Sequence, residues 1–208
     1  MSKSATKLKD YASFQCKEDA ARFLNLILLM PPSQEKYFVL LQLLIPAQPS
    51  EWVNAKWECI DFVNGVWVIN PASKFQTNLY PGIQVIPKVT YLSEWAMQLL
   101  SDLRFITGNY EQLFPMLSAL KKNQREQIIA DFVRLWRPYH VDVNSFREFF
   151  TDVCNTYSGF KPNFVREVVK SLAKTLTFSD VIQRRALIEY WSCELSRHLP
   201  TPQYSPNM

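Results

Sequence analysis

The chain has 208 residues, enough for one domain with a full core, and its 48% apolar and 20% charged residues make it globular rather than disordered. Only 4 Gly stand against 13 Pro, and no stretch reads GxGxxG or GxxxxGK followed by Ser or Thr, which argues against enzymes that cradle nucleotides in glycine-rich loops. A net charge of +4 permits nucleic-acid binding without demanding it.

Residues 1–17 read as a polar lead-in. From Glu18 to Met30 the apolar residues Ala20, Phe23, Leu24, Ile27 and Leu28 fall on one helical stripe, and Pro31-Pro32 ends it. Ser33 is placed to cap a second helix through Leu44. That helix is apolar almost all round from Tyr37 onward, which puts it at the centre of a domain. Pro46 and Pro49 bracket a turn, and a short helix is expected from Ser50 to Trp57. The period then changes. Ile60 to Val63, Asn64-Gly65 and Val66 to Ile69 form a hairpin pattern, because both turn residues tolerate positive φ. A third strand is expected at Gln84 to Ile86, completing a small three-stranded antiparallel sheet between residues 59 and 87.

After Pro87 the pattern is helical. Tyr91 to Thr107 is expected as a helix with Gly108 at its C-terminal cap. Asn123 and Glu126 suggest a capping box for a helix running to Trp136. Asn144 is placed to cap Phe146 to Tyr157, and Phe164 to Leu176 and Ser179 to Leu199 complete the set, with 200–208 as a loose tail. No repeat, low-complexity tract or linker divides the chain. The elements alone predict an α+β fold, mainly α, in one domain over residues 18–199.

Cys16, Cys59, Cys154 and Cys193 are isolated, without a CxxC pair, so reduced and mostly buried thiols in a cytoplasmic protein are expected rather than disulfides or zinc ligands. His140 and His198 lack metal-ligand spacing, and no cofactor is implied. The N-terminus does not read as a signal peptide. The first apolar run, Phe23 to Met30, falls far short of the roughly 20 residues of a membrane span, so no membrane contact is expected.

One stretch is more specific: LLIPAQPSEWVNAKWECIDFVNGVWVIN. It resembles the first conserved box of the integrase-type tyrosine recombinases, in which a turn of the form Thr/Ser-Gly-x-Arg-Pro-x-Glu leads to Ala-Arg-Trp-x-x-Ile-Asp and a hairpin. The likeness runs through Pro49, Glu51, Ala55, Trp57, Ile60 and Asp61. VIPKVTYLSEWAMQLLSDLRFITGNYEQLFP resembles the strand, turn and long helix that follow, and QRRALIEYWSCEL resembles the ending of phage and genomic-island integrases. The resemblance covers about residues 18–199 and implies the fold of the recombinase catalytic domain, without the family's separate core-binding domain.

The family cleaves DNA by attack of a tyrosine on a phosphodiester held by two arginines, with a lysine as general acid. On the matched positions this chain is degenerate. Gln48 stands where the first arginine is expected, and a neutral amide cannot make the charged fork that grips a phosphate. Lys74 is the candidate for the lysine. Asn144 takes the histidine place in NSFRE, where Arg147 keeps the arginine, and the nucleophile position falls at or near Thr175. Tyr190 lies inside the final helix and is a poor nucleophile. The resemblance therefore implies a pseudo-enzyme with no catalytic residues.

Two functions follow as expectations. The first is a non-catalytic DNA-associated protein of a mobile element or bacterial genome. It would meet double-stranded DNA through Arg147, Lys56, Lys74, Lys88, Arg184 and Arg185. The alternative is a protein-interaction or structural subunit that keeps the scaffold but not DNA binding, with a partner or a second copy docking through the C-terminal segment 179–208. Each site residue also has a plainer reading. Arg147 suits an ordinary salt-bridging arginine, the three lysines suit plain surface charges, and Arg184-Arg185 with Arg134 and Arg137 suit solvated ones.

Overall fold

In the computed structural model the described residues are 17–70, 88–134, 145–170 and 178–197. The first helix is Lys17–Leu28 (α1) and the second Gln34–Leu44 (α2). Ser33 caps α2 as its position predicts: its hydroxyl accepts the Lys36 N–H at 3.2 Å. Every residue of α2 from Lys36 to Leu44 is buried, so this helix is the axis on which the domain packs. It touches α1 as well as Pro49–Val53 (α3), Glu94–Thr107 (α4), Lys122–Arg134 (α6), Ser145–Tyr157 (α7) and Phe178–Ser196 (α9). Two further helices, Pro115–Ala119 (α5) and Pro162–Lys170 (α8), complete the helical set of the described residues.

A buried helix cannot leave its terminal groups to water. Lys36 resolves one such end. Its ammonium donates to the carbonyls of Leu28 at 2.8 Å and Met30 at 2.6 Å, where α1 has run out of partners. Burial pushes its pKa below the ordinary lysine value, against an opposing pull from Asp102. The C-terminal end of α2 is held from the far end of the chain: the Trp191 indole N–H on α9 donates to the Leu43 carbonyl at 2.9 Å. Phe149 and Phe150 of α7 meet the same indole edge-on, with ring centroids 5.6 and 5.4 Å away.

The sheet is Ile60–Asp61 (β1), Val66–Asn70 (β2) and Lys88–Tyr91 (β3), antiparallel in the order β1-β2-β3. The hairpin exists, but its turn is wider than the Asn-Gly pattern predicts. Asp61 pairs with Val66, leaving Phe62 to Gly65 as a four-residue turn rather than extending the strand to Val63. The Asp61 carboxylate explains this. It accepts the N–H groups of Val63 and Asn64, at 3.0 and 2.9 Å, and the Asn64 side-chain amide at 2.7 Å. Gly65 has φ +59, where a side chain would be strained, and its carbonyl accepts the Leu92 N–H. The expected third strand at Gln84 to Ile86 lies outside the described residues. The strand that closes the sheet falls after Pro87, where helix was expected, and α4 begins only at Glu94 behind a Ser93 cap. Strand wins there because Val89 and Tyr91 extend the ladder opposite Val68 and Val66.

Trp52 of α3 and Trp67 of β2 lie against each other with centroids 4.0 Å apart, both fully buried. Among the described residues neither indole N–H has a partner, and an orphaned donor costs about 1–3 kcal/mol. Burying roughly 150–250 Å² per ring, at ~25 cal per Å², contributes about 4–6 kcal/mol and outweighs that cost.

The remaining expectations divide. Gly108 does end α4, but in the right-handed region. Its lack of a side chain matters because a Cβ there would clash with the Arg104 carbonyl oxygen. The start of α6 is held by Gln124, which reaches back to the Lys121 N–H at 3.1 Å, not by an Asn123–Glu126 box; Glu126 lies near Lys122 instead. The short helix expected from Ser50 to Trp57 stops at Val53, and Trp57–Cys59 forms a single 3-10 turn.

Trp191→Phe keeps most of the buried ring but strands the Leu43 carbonyl. The expected loss is about 1–3 kcal/mol, read as a lower urea midpoint with an unchanged slope.

Candidate functional site

The positions that carry the recombinase resemblance are engaged in building the fold. Gln48 is exposed and stands immediately before α3, where its backbone N–H donates to the Glu51 carboxylate at 2.7 Å. Pro49 occupies the first turn of α3, where its missing N–H costs nothing. Ala55 and Ile60 are buried, and Asp61 shapes the hairpin turn. The hydrogen bonds from Asn64 hold its carboxyl below the usual carboxylate range. The Trp57 indole N–H donates to the Thr107 carbonyl at 3.1 Å, fixing the segment before β1 to the end of α4.

Of the cations expected to face a phosphate backbone, Lys56, Arg147, Arg184 and Arg185 are taken up within the fold. The Lys56 ammonium lies 2.5 Å from a Glu111 oxygen and 3.8 Å from Glu58, and the Glu111 carboxylate raises its pKa. Arg185 is exposed, with its guanidinium over the Tyr91 ring at 5.0 Å and donating to the Asn64 carbonyl. Arg184 is only 5% exposed, so the reading of both arginines as solvated charges fails for this one. Burial lowers its pKa, opposed by Glu167, Tyr91 and Asp180. On the same helix Glu189 accepts the Glu94 N–H at 3.0 Å, capping the start of α4. Tyr190 packs half-buried against the core, inside the final helix as its sequence position predicts.

Arg147 is the residue of most interest. Its guanidinium donates to the Val169 carbonyl at 2.7 Å, in the last turn of α8, so it acts as a cationic cap on that helix. Its Nε is buried without a hydrogen-bond partner among the described residues. The open recess around it, about 250 Å³, is lined by Glu148, Thr151, Asp152 and Val169. Two carboxylates lining the recess beside Arg147 oppose the attraction its charge would have for a phosphate.

Lys88 opens β3 opposite Asn70. Lys74, Asn144 and Thr175 lie outside the described residues, as do Arg137, His140 and His198. Gln48 stands exposed before α3, bound there through its backbone N–H, and Arg147 on α7 is taken up by the end of α8. Lys36, Arg104, Glu111 and Glu189 escaped the sequence reading. Lys36 had one visible signal, a cation beside Glu35 at the start of a helix that is apolar almost throughout from Tyr37 on. The partners of the others are far off in the chain, up to 95 positions in the case of Glu189.

Cys16 lies outside the described residues, and the other three thiols are less uniformly buried than expected. Cys154 is buried and Cys59 half-buried, but Cys193 is exposed. Burial, with the Glu194 carboxylate nearby, pushes the Cys154 thiol up to about 12. Among the described residues no cluster of three His, Cys, Asp or Glu side chains could hold a metal. Nor is any helix among them long and apolar enough to cross a membrane.

No protein-family model, no curated protein and no solved structure matches the chain.

Two outcomes test this geometry. Arg147→Ala is expected to destabilise the fold by about 1–2 kcal/mol, seen as a lower thermal midpoint, because the α8 terminus loses its cap. In the native protein an aromatic disulfide reagent is expected to modify Cys193 rapidly and Cys154 only on unfolding, as read by mass mapping of the labelled peptides.

Proposed function

We propose that this chain is a degenerate relative of the tyrosine-recombinase catalytic domain that works as a protein-interaction scaffold, without strand-transfer chemistry and without a DNA clamp. The observation that carries the reading is the use made of its cations. Arg147 caps α8 beside Glu148 and Asp152, Lys56 pairs with Glu111, Arg184 is buried, and Arg185 ties α9 to the hairpin. A DNA face needs cations free to replace condensed counterions on phosphates. Here the four cations named are committed to the fold. Gln48 in place of an arginine removes half of the phosphate grip that the family's chemistry depends on.

The net charge of +4 favours a second reading, a DNA-associated pseudo-recombinase. Fluorescence anisotropy of a labelled duplex, titrated with the chain at several salt concentrations, separates the two. The scaffold reading expects no salt-dependent binding in the micromolar range, and Arg147→Ala then changes stability alone. Micromolar binding that weakens with salt, and weakens again in Arg147→Ala, would overturn it in favour of the DNA reading.

A further inference from the structure

Asn64-Gly65 is the one Asn-Gly pair in the chain, and Asn64 is exposed in the turn between β1 and β2. The turn uses the conformational freedom of Gly65, at φ +59. The pair also carries chemistry of its own. The backbone nitrogen that follows an asparagine can attack the side-chain amide carbon and close a cyclic imide. A Cβ on the following residue hinders that closure, and glycine has none.

The contacts around residue 64 bear on this reaction. The nucleophile is the Gly65 nitrogen after loss of its proton. Its negative charge spreads onto the Asn64 carbonyl oxygen, because the two atoms belong to one conjugated peptide group. The Arg185 guanidinium donates to that same oxygen. A cation so placed stabilises the charge as it develops, as an oxyanion donor does in an enzyme. The face of the guanidinium lies over the Tyr91 ring, which keeps Arg185 at the turn. On the other side the Asp61 carboxylate accepts the Asn64 N–H at 2.9 Å and the side-chain amide at 2.7 Å. These two bonds restrain the side chain without blocking it, since hydrogen bonds at an exposed turn open far faster than a covalent step of this kind. Asp61 and Arg185 are thus the charged groups in contact with residue 64, one on its amide and one on its carbonyl.

We propose that Asn64 is a site of spontaneous deamidation, in which the Arg185 cation promotes attack by the Gly65 nitrogen. Water is the sole co-reactant. Hydroxide takes the Gly65 N–H proton, and the nitrogen bonds to Cγ of Asn64. The Cγ–Nδ2 bond then breaks, and the nitrogen leaves as ammonia with a proton from water. A second water opens the imide at one carbonyl or the other, leaving an aspartyl or an isoaspartyl residue at position 64. Nothing is oxidised or reduced. Either product sets a carboxylate close to Asp61 where an amide now donates to it, and the isoaspartyl form also lengthens the main chain of the turn by a methylene. The proposal goes beyond the scaffold reading and does not depend on it.

Incubation of the full chain at neutral and mildly alkaline pH, followed by peptide mapping with mass spectrometry and isoaspartate detection, tests it. Asn54 and Asn109 serve as internal references, being exposed but followed by Ala55 and Tyr110. Asn64 is expected to convert at least about tenfold faster than either, at a rate that rises in proportion to hydroxide. Arg185→Gln is expected to slow the conversion severalfold at each pH, and Arg185→Lys, which keeps the charge, to retain most of the rate. A merely structural Arg185 would act the other way, because loosening the turn speeds the attack. An Asn64 that stays intact, or converts no faster than Asn54 and Asn109, overturns the proposal. Conversion that is as fast or faster in Arg185→Gln overturns the part given to Arg185, and a rate lost equally in Arg185→Lys does the same if Arg185→Gln fails to fold.

Discussion

The buried helix α2 imposes a requirement that the rest of the domain meets. A helix covered on all sides gains the transfer energy of nearly every side chain, but the polar ends of the helices around it lose their water. Side chains must take water's place. Ser33 supplies the oxygen at the start of α2, Lys36 supplies donors for the end of α1, and Trp191 supplies a donor for the end of α2. Local turn chemistry accounts for Ser33. Lys36 is a charge accepted into a poor dielectric because two carbonyls would otherwise stay unpaired there. Trp191 requires the final helix to be in place, so the centre of the domain is complete only when the end of the chain has docked.

That final helix, α9, is the tie of the structure. Along one stretch it places Arg184 beneath the surface, Arg185 on Asn64 and Tyr91, Glu189 on the start of α4, and Trp191 on α2. Three successive attachments, through Arg185, Glu189 and Trp191, join the sheet, α4 and the central helix. The arginine pair that looks from sequence like a basic face is thus part of the wall between sheet and helix. A guanidinium serves well there, because its planar fork can donate to a carbonyl while its face covers an aromatic ring. The same properties would suit a phosphate, which is why sequence alone leaves both uses open.

Arg147 shows how magnitude and company decide a role. As a helix cap an arginine contributes about 0.3–1 kcal/mol when exposed and up to ~2 kcal/mol when partly buried, and one well-placed carbonyl suffices. Gripping a phosphodiester strongly enough for chemistry takes two such cations acting together in a positive recess. Here Glu148 and Asp152 line the recess, and a neutral residue, Gln48, stands where the recombinase resemblance would place the second arginine. The cap is the lesser demand, and the geometry satisfies it.

The sequence by itself determined the elements whose signals are local. The apolar stripes of α1 and α2, the Ser33 cap, the existence of a hairpin around Asn64-Gly65 and the helical C-terminal half all follow from periodicity and turn chemistry over a few residues. Its errors also have local causes. The hairpin turn widened because the Asp61 carboxylate captured two further N–H groups, and Lys88–Tyr91 became strand because β2 offered it a ladder. Only the tertiary structure decided what the charged residues do. Lys36 with Met30, Lys56 with Glu111, Arg147 with Val169 and Arg185 with Asn64 are pairings set by which elements meet. A cation's role depends on the acceptor within about 3 Å of it, and the residue that supplies that acceptor is chosen by packing rather than by sequence distance.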